Sequence, residues 1–416
     1  MLNSIRFFIL ITILSSSLAF AGGFQINEHG ARGMALGGAF TAIASDASAV
    51  YFNPGAVVNL KSTQIMAGAT YIQPHASFRG PKPEITEYKL EEQFFNPINF
   101  YVTHSISKDL AVGFGINNPY GLGTKWDDGW VGRFLAVDTE IRTFFFRPVI
   151  SYRITENLSI GAGLNYAYGD VKIQRKSQLP PTSSEADVKL EGDGTGIGYS
   201  AGVLFQPTKC LSLGLTYHSK VKFEFEGDAI VEAPAQFNGL LPAGAISAPL
   251  ETPQNLTFGL AYQVMDKLLV SADYQYVGWS SYDKLSVTFE DVTNPDMRVS
   301  SSDRNYEDTY ILRFGAEYNL LDNLDLRCGF LYDNNPVLEE YAEPTLPDAD
   351  RLGFNLGFGY DLTSNLSLDV AYLYLRFNER DITKSNINYM EGNSPFLGVY
   401  NSYAHLIGVD FSYKFN

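Results

Sequence analysis

Along most of the chain, apolar and polar residues alternate with a period of two. In Leu211–His218, Leu211, Leu213, Leu215 and Tyr217 share one face, and Ser212, Gly214, Thr216 and His218 share the other. In the next such stretches Leu324, Leu326, Cys328 and Phe330 oppose Asp325 and Arg327, and Leu366, Leu368, Val370, Tyr372 and Tyr374 oppose Ser367 and Asp369. Side chains alternate across a strand, so each stretch predicts a strand with one apolar and one polar face. A polar turn ending in leucine introduces these stretches at Ser107–Leu110, Thr155–Leu158, Thr208–Leu211, Met265–Leu268, Leu321–Leu324 and Thr363–Leu366. Successive leucines lie 42 to 57 residues apart, room for two strands and a long loop. Six short turns make seven hairpins and hence fourteen strands, with both termini on the short-turn side. Longer loops are expected near 74–95, 118–137, 176–196, 228–253, 291–305, 334–350 and 377–402 on the opposite rim. The final stretch sets Ile407, Val409, Phe411, Tyr413 and Phe415 against Gly408, Asp410, Ser412 and Lys414. Pairing it with the first strand leaves no free edge, which predicts an all-β fold: a transmembrane antiparallel β-barrel.

The N-terminus places such a barrel outside the cytoplasm. Arg6, the apolar run Phe7–Leu14 and Ala19-Phe20-Ala21 predict a cleaved export signal over 1–21. The run is too short to cross a bilayer as a helix, which takes about 20 residues. The expected location is the bacterial outer membrane, amid its lipid and lipopolysaccharide, with both termini periplasmic. Composition agrees: 26 Tyr, 29 Phe and 37 Gly with few charges suit a lipid-facing barrel better than two soluble domains.

The net charge of −16, with no basic cluster, gives no reason to bind nucleic acid. Strand phase points Cys328 outward and Cys210 inward, which predicts two free thiols, although export permits a disulfide. The histidines (His29, His75, His104, His218, His405) lie in no nucleophile motif, and no His, Cys or acidic cluster has metal-ligand spacing. No enzyme, metal or cofactor is expected, and the barrel is expected to be a monomer.

Residues 22–61 lack strand alternation and are rich in Gly and Ala, whereas the barrel is expected over 62–416. A fourteen-stranded barrel is wide enough to need filling, and small residues let a segment pack closely against its wall. The segment is therefore expected to fold into the lumen as a plug; hanging in the periplasm is the alternative.

Its motifs carry a resemblance. Gly23-Phe24-Gln25-Ile26-Asn27-Glu28, Ala44-Ser45-Asp46-Ala47-Ser48 and Asn53-Pro54 resemble the N-terminal hatch of the FadL-type long-chain fatty acid transporters, with Gly55 where that family usually has Ala. The similarity continues through Trp130–Phe134, Ser159–Gly163, Leu215–Lys222, Trp279-Ser280, Asn335-Pro336-Val337 and Pro347–Arg351, and so spans the mature chain. The last strand also resembles the signal read by the barrel assembly machinery, except that Asn416 follows the terminal aromatic.

The resemblance implies uptake of long-chain fatty acids or similar hydrophobic compounds. It implies a hatch including Phe24, Asn27, Asn53, Pro54 and Gly55, and a capture groove between the third and fourth loops. The fourth loop is unusually apolar, and Phe237, Leu240, Leu241 and Ile246 are the candidates to hold cargo there. For a carboxylate head group the family's first arginine corresponds to Arg175, after Lys172-Ile173-Gln174. Its lysine falls near Ser302, where Arg304 is the candidate substitute. Asn118-Pro119-Tyr120-Gly121 interrupts the third strand, because proline lacks a backbone donor and glycine a side chain. In the family this kink is a lateral exit into the bilayer. The alternatives are uptake of aromatic or alkane hydrocarbons and a non-specific porin, which needs an open lumen.

Overall fold

The computed structural model describes residues 22–179, 181–387 and 394–415. The expected signal over 1–21 and Asn416 lie outside the described residues. Fourteen antiparallel wall strands are present among the described residues. They are Thr63–Arg79, Ile98–Ser105, Leu110–Asn117 with Gly121–Lys125, Asp138–Thr155, Leu158–Leu179, Ser184–Phe205 and Leu211–His218 with Lys222–Glu232. Then follow Gly244–Glu251 with Gln254–Met265, Leu268–Gly278 with Lys284–Phe289 and Val299–Asp303 with Thr309–Leu321. Leu324–Asp333, Arg351–Asp361, Leu366–Phe377 with Arg380–Ile382, and Gly398–Lys414 complete the ring. Six strands open on the leucines Leu110, Leu158, Leu211, Leu268, Leu324 and Leu366 that end the predicted turns. The first strand pairs with the last from Gln64↔Lys414 to Arg79↔Val399, which closes the barrel.

The alternation sorts itself onto two faces. Leu164, Ile197, Leu256, Phe258, Phe314 and Leu356 stand exposed on the outside, a belt that water penalises and hydrocarbon accepts. Arg147, Asp273, Glu317, Arg327, Asp369 and Asp410 are buried inside. No helix among the described residues is long and apolar enough to cross a membrane. Cys210 and Cys328 are free and exposed; Cys210 lies in a turn before its strand and does not point inward.

The outer rim departs from expectation. The predicted loop 176–196 is mostly strand, because Leu158–Leu179 and Ser184–Phe205 pair from Leu158↔Phe205 to Leu179↔Ser184. This part projects into water, so its faces carry ion pairs such as Lys176–Asp187 and Lys189–Glu191 instead of apolar alternation. The predicted fourth loop is also partly sheet, with Lys222–Glu232 paired to both Gly244–Glu251 and Ser184–Phe205.

Segment 22–61 packs within the ring and is largely buried. It forms short helices at Ala31–Ala35 and Ala49–Phe52 and a 3-10 turn at Pro54–Asn59. Proline at the start of that turn needs no N–H partner, and the Asn53 side chain caps it by accepting from Gly55 N at 3.0 Å. The Asn53 amide also donates to the carbonyls of Thr41 and Val203, tying the segment to the wall. Wall glycines provide its seats. A Cβ on Gly161 would lie 2.3 Å from the Pro54 carbonyl, and one on Gly202 2.3 Å from Asn53 Oδ1. Gly161→Val is expected to lift the Pro54–Asn59 turn at a cost of about 1–3 kcal/mol while leaving the barrel closed. Faster proteolysis within 22–61, with unchanged heat resistance of the barrel on gels, is the check.

Ions fix the segment elsewhere. The Arg32 guanidinium holds Glu317 at 2.8 and 2.9 Å, and Glu317 also accepts from Arg327 Nε at 2.6 Å. Arg327 continues to Asp369 at 2.5 Å. Asp273 accepts from the backbone N–H groups of Phe40 and Thr41.

Candidate functional site: a lumenal cavity beside a break in the wall

Asn118-Pro119-Tyr120-Gly121 does interrupt a strand. Pairing with the fourth wall strand passes from Asn117↔Phe145 to Gly121↔Arg142, so one extra residue is squeezed in and the ladder bulges. Side chains replace the missing ladder bonds. Asn118 Oδ1 accepts from Ile98 N at 2.7 Å and its amide donates to the Thr143 carbonyl, while Thr143 Oγ1 donates to the Tyr120 carbonyl at 2.6 Å.

The remaining backbone groups are satisfied from inside. Ile26 N donates to the Pro119 carbonyl at 2.9 Å, and Gly121 N donates to the Phe24 carbonyl at 3.0 Å. Gln25 and Tyr120 thus face each other as a short antiparallel bridge between the lumenal segment and the wall. Phe24 is locked by edge-to-face contacts with Trp279, Tyr282 and Tyr120 at 4.8 to 6.0 Å. Gly23 has φ +64°, and a Cβ there would meet the Trp279 ring at 2.5 Å, so only glycine fits.

Beside the break, segment 90–97 runs irregularly alongside the first wall strand, held by the Ile72↔Phe95 bridge and by Glu91 N donating to the Lys125 carbonyl. The Phe95 ring fills the space over Gly123, where a Cβ would lie 1.9 Å from it. A cavity of about 530 Å³ lies between these parts, in the size range of small-molecule sites. Its lining is mainly apolar and includes Phe24, Ile26, Phe95, Leu122, Leu375 and Phe377. Its cations already have partners: Arg351 pairs with Asp348 at 2.9 Å, and Arg142 with Asp170 at 2.7 Å.

Of the other predicted residues Asn27 also lines this cavity, whereas Arg175, Arg304 and the rim candidates do not. Arg175 is exposed on the same strand face as the buried Asn165 and Ala167, and donates to the Phe134 carbonyl at 3.3 Å. Arg304 is buried and pairs with Glu343 at 2.7 Å. Burial works against its charge, but Glu343, with Tyr282 and Tyr306, more than offsets this and raises its pKa. Arg175 is within electrostatic reach of the same Glu343, so one carboxylate draws both arginines. Among the rim candidates Leu240 is exposed and Phe237 and Leu241 half-buried. Ile246 differs from expectation: it is buried with Ala229, Val287 and Phe289, inside a strand and not on a groove. Asn27 joins the lumenal segment to the wall by accepting from Arg313 at 2.9 Å.

Sequence reasoning missed Glu343, Phe95 and Trp279 as parts of the site. The similarity at Pro347–Arg351 pointed to the right segment, for Asp348 accepts from Gly23 N at 2.8 Å, but gave it no role. Among the described residues no group of His, Cys, Asp or Glu has the arrangement to hold a metal ion.

Known proteins share this architecture. The chain is 28% identical to outer membrane protein P1 of Haemophilus influenzae, covering 88% of each. It is 26% identical to the long-chain fatty acid transport protein of Escherichia coli K12, covering 97% of this chain and 96% of the relative. In fold it is similar to a Pseudomonas aeruginosa FadL homologue, with TM-score 0.84, 22% identity and coverage of 95% and 100% of the two chains. It is also similar to the Pseudomonas putida toluene transporter TodX, with TM-score 0.75, 18% identity and coverage of 94% and 99%. The family model for outer membrane protein transport proteins of the OMPP1/FadL/TodX type matches residues 12–415. This closed barrel of the outer membrane therefore belongs to the OMPP1/FadL/TodX family of transport proteins.

Proposed function

We propose that the barrel takes up long-chain fatty acids or similar hydrophobic molecules: capture at the outer rim, binding in the lumen, movement of the 22–61 hatch and sideways exit at the third-strand break. The observation that supports this best is the bridge between Phe24–Ile26 and Pro119–Gly121 beside an apolar cavity. The same hatch residues line the cavity and complete the broken ladder, so hatch movement would expose the break to cargo. Burying each CH₂ yields about 0.8 kcal/mol, so a long acyl chain is held well by apolar contact alone. Phe237, Leu240 and Leu241 offer apolar surface for first contact.

Gly121→Trp tests the route. An added Cβ would already lie 2.7 Å from Ile26 Cδ1, and the indole would block the passage at the break while leaving the rest of the cavity open. Oleate uptake by cells relying on this protein is expected to fall to background while oleate binding to purified protein persists; unchanged uptake would rule out this exit.

One observation favours a second reading, uptake of neutral hydrocarbons. Arg304 already has an internal carboxylate partner and does not need one from cargo. Mass spectrometry of lipid retained by purified protein separates the readings: fatty acid supports the first, and neutral compounds alone the second.

A further inference from the structure

The Arg304–Glu343 pair is unusual in where its carboxylate comes from. Glu343 lies in the segment between Leu324–Asp333 and Arg351–Asp361, and that segment spans from Arg304 to the end of the third wall strand. It is held there by Trp126 Nε1 donating to the Pro344 carbonyl at 3.1 Å and Thr124 Oγ1 donating to the Thr345 carbonyl at 3.0 Å. Arg304 is oriented independently of Glu343: its Nη1 lies 3.2 Å from Ser302 Oγ and its Nε 3.4 Å from the Tyr282 hydroxyl. The Thr345 hydroxyl donates to Glu343 and steadies it. Tyr306, Ala342 and Tyr400, all buried in one aromatic-rich cluster, give these charges an apolar setting. Leu346 and Pro347, a few residues on in the same segment, line the apolar cavity, so this carboxylate on its guanidinium has the chemistry of a fatty-acid head group whose chain would run into that cavity.

We propose that Glu343 is a built-in stand-in for the cargo carboxylate. It occupies Arg304 while the site is empty and exchanges with the head group of an incoming acid. This rests on the fatty-acid reading above and adds to it a residue that sets cargo choice. Exchange of one carboxylate for another leaves the buried Arg304 paired throughout, and the displaced Glu343 stays within electrostatic reach of Arg175, so neither charge is left alone, the state a binding site must avoid. A neutral chain gains nothing by displacing Glu343, so the pair discriminates by head group and not by chain length. The exchange also caps acid affinity, because each acid must compete with a tethered carboxylate at high effective concentration.

The test compares oleate with oleyl alcohol, which share one chain, binding to purified full-length protein in dodecyl maltoside. Glu343→Gln removes the competitor's charge and keeps its shape. Oleate is expected to bind at least about tenfold tighter to Glu343→Gln, the worth of a charge-assisted hydrogen bond, with oleyl alcohol unchanged. An equal shift for both ligands, or none for either, overturns the exchange. Thr345→Val loosens Glu343 without touching any charge and is expected to shift the ratio the same way by less, which decides the matter should Glu343→Gln misfold. If the unaltered protein binds neither ligand, the apolar-cargo reading itself fails, a result distinct from an unchanged ratio.

Discussion

A disulfide between residues 25 and 120 is expected to abolish uptake in its oxidised form and release it on reduction. Gln25 and Tyr120 face each other with backbone bonds on either side, Ile26 N to the Pro119 carbonyl and Gly121 N to the Phe24 carbonyl. Such non-hydrogen-bonded partners lie about 4.5 Å apart at Cα, within disulfide range. In a background with Cys210→Ser and Cys328→Ser, Gln25→Cys with Tyr120→Cys would staple the hatch to the break. Oleate uptake is expected to fall to that of cells lacking the protein and to recover with reductant, while oleate binding persists. Because the reduced protein carries the same substitutions, the lost Tyr120 packing cancels from the comparison. Full uptake with a verified crosslink would show that cargo leaves without parting hatch from wall.

The second large effect is on stability. Arg327 is almost fully buried and meets Glu317, Asp369 and Asp325 at 2.6, 2.5 and 3.3 Å. Arg327→Met leaves these carboxylates facing one another, and removal of one member of a buried ionic cluster costs about 3–5 kcal/mol. The folded band on gels is expected to convert to the unfolded one at a clearly lower temperature. Arg32→Ala should leave that temperature nearly unchanged, since Glu317 keeps Arg327, but should loosen the hatch and raise ion conductance in planar bilayers. Equal thermal loss in both variants would mean that the hatch, not the wall, carries this cluster.

Barrel architecture was legible because lipid imposes it residue by residue. An outward position must be apolar along every wall strand, so phase, turns and strand number appear as alternation in Leu211–His218 or Leu366–Tyr374. Where the wall leaves lipid that constraint ends, and the stretches ending at Leu179 and beginning at Ser184 read as loop although they are paired strand. The Asn118–Gly121 break was legible from proline and glycine chemistry alone. Its closure by Phe24 and Ile26 was not, since a backbone bridge across about a hundred residues leaves no composition signal. Arg175 and Arg304 came from resemblance, and Glu343 escaped because a single glutamate in a polar loop looks like any solvated one. Only folding brings it to a buried arginine.

Joining the first wall strand to the last has a consequence for the order of events during biogenesis. Segment 22–61 emerges before every stave of the wall, yet ends up encircled by a ring whose final seam runs from Gln64↔Lys414 to Arg79↔Val399. Threading a folded piece into a finished cylinder is something chains rarely do. The segment is therefore expected to be in place before the seam zips shut, so residues made ahead of the wall wait on its closing strand, and the staves assemble around them like a cask around its bung.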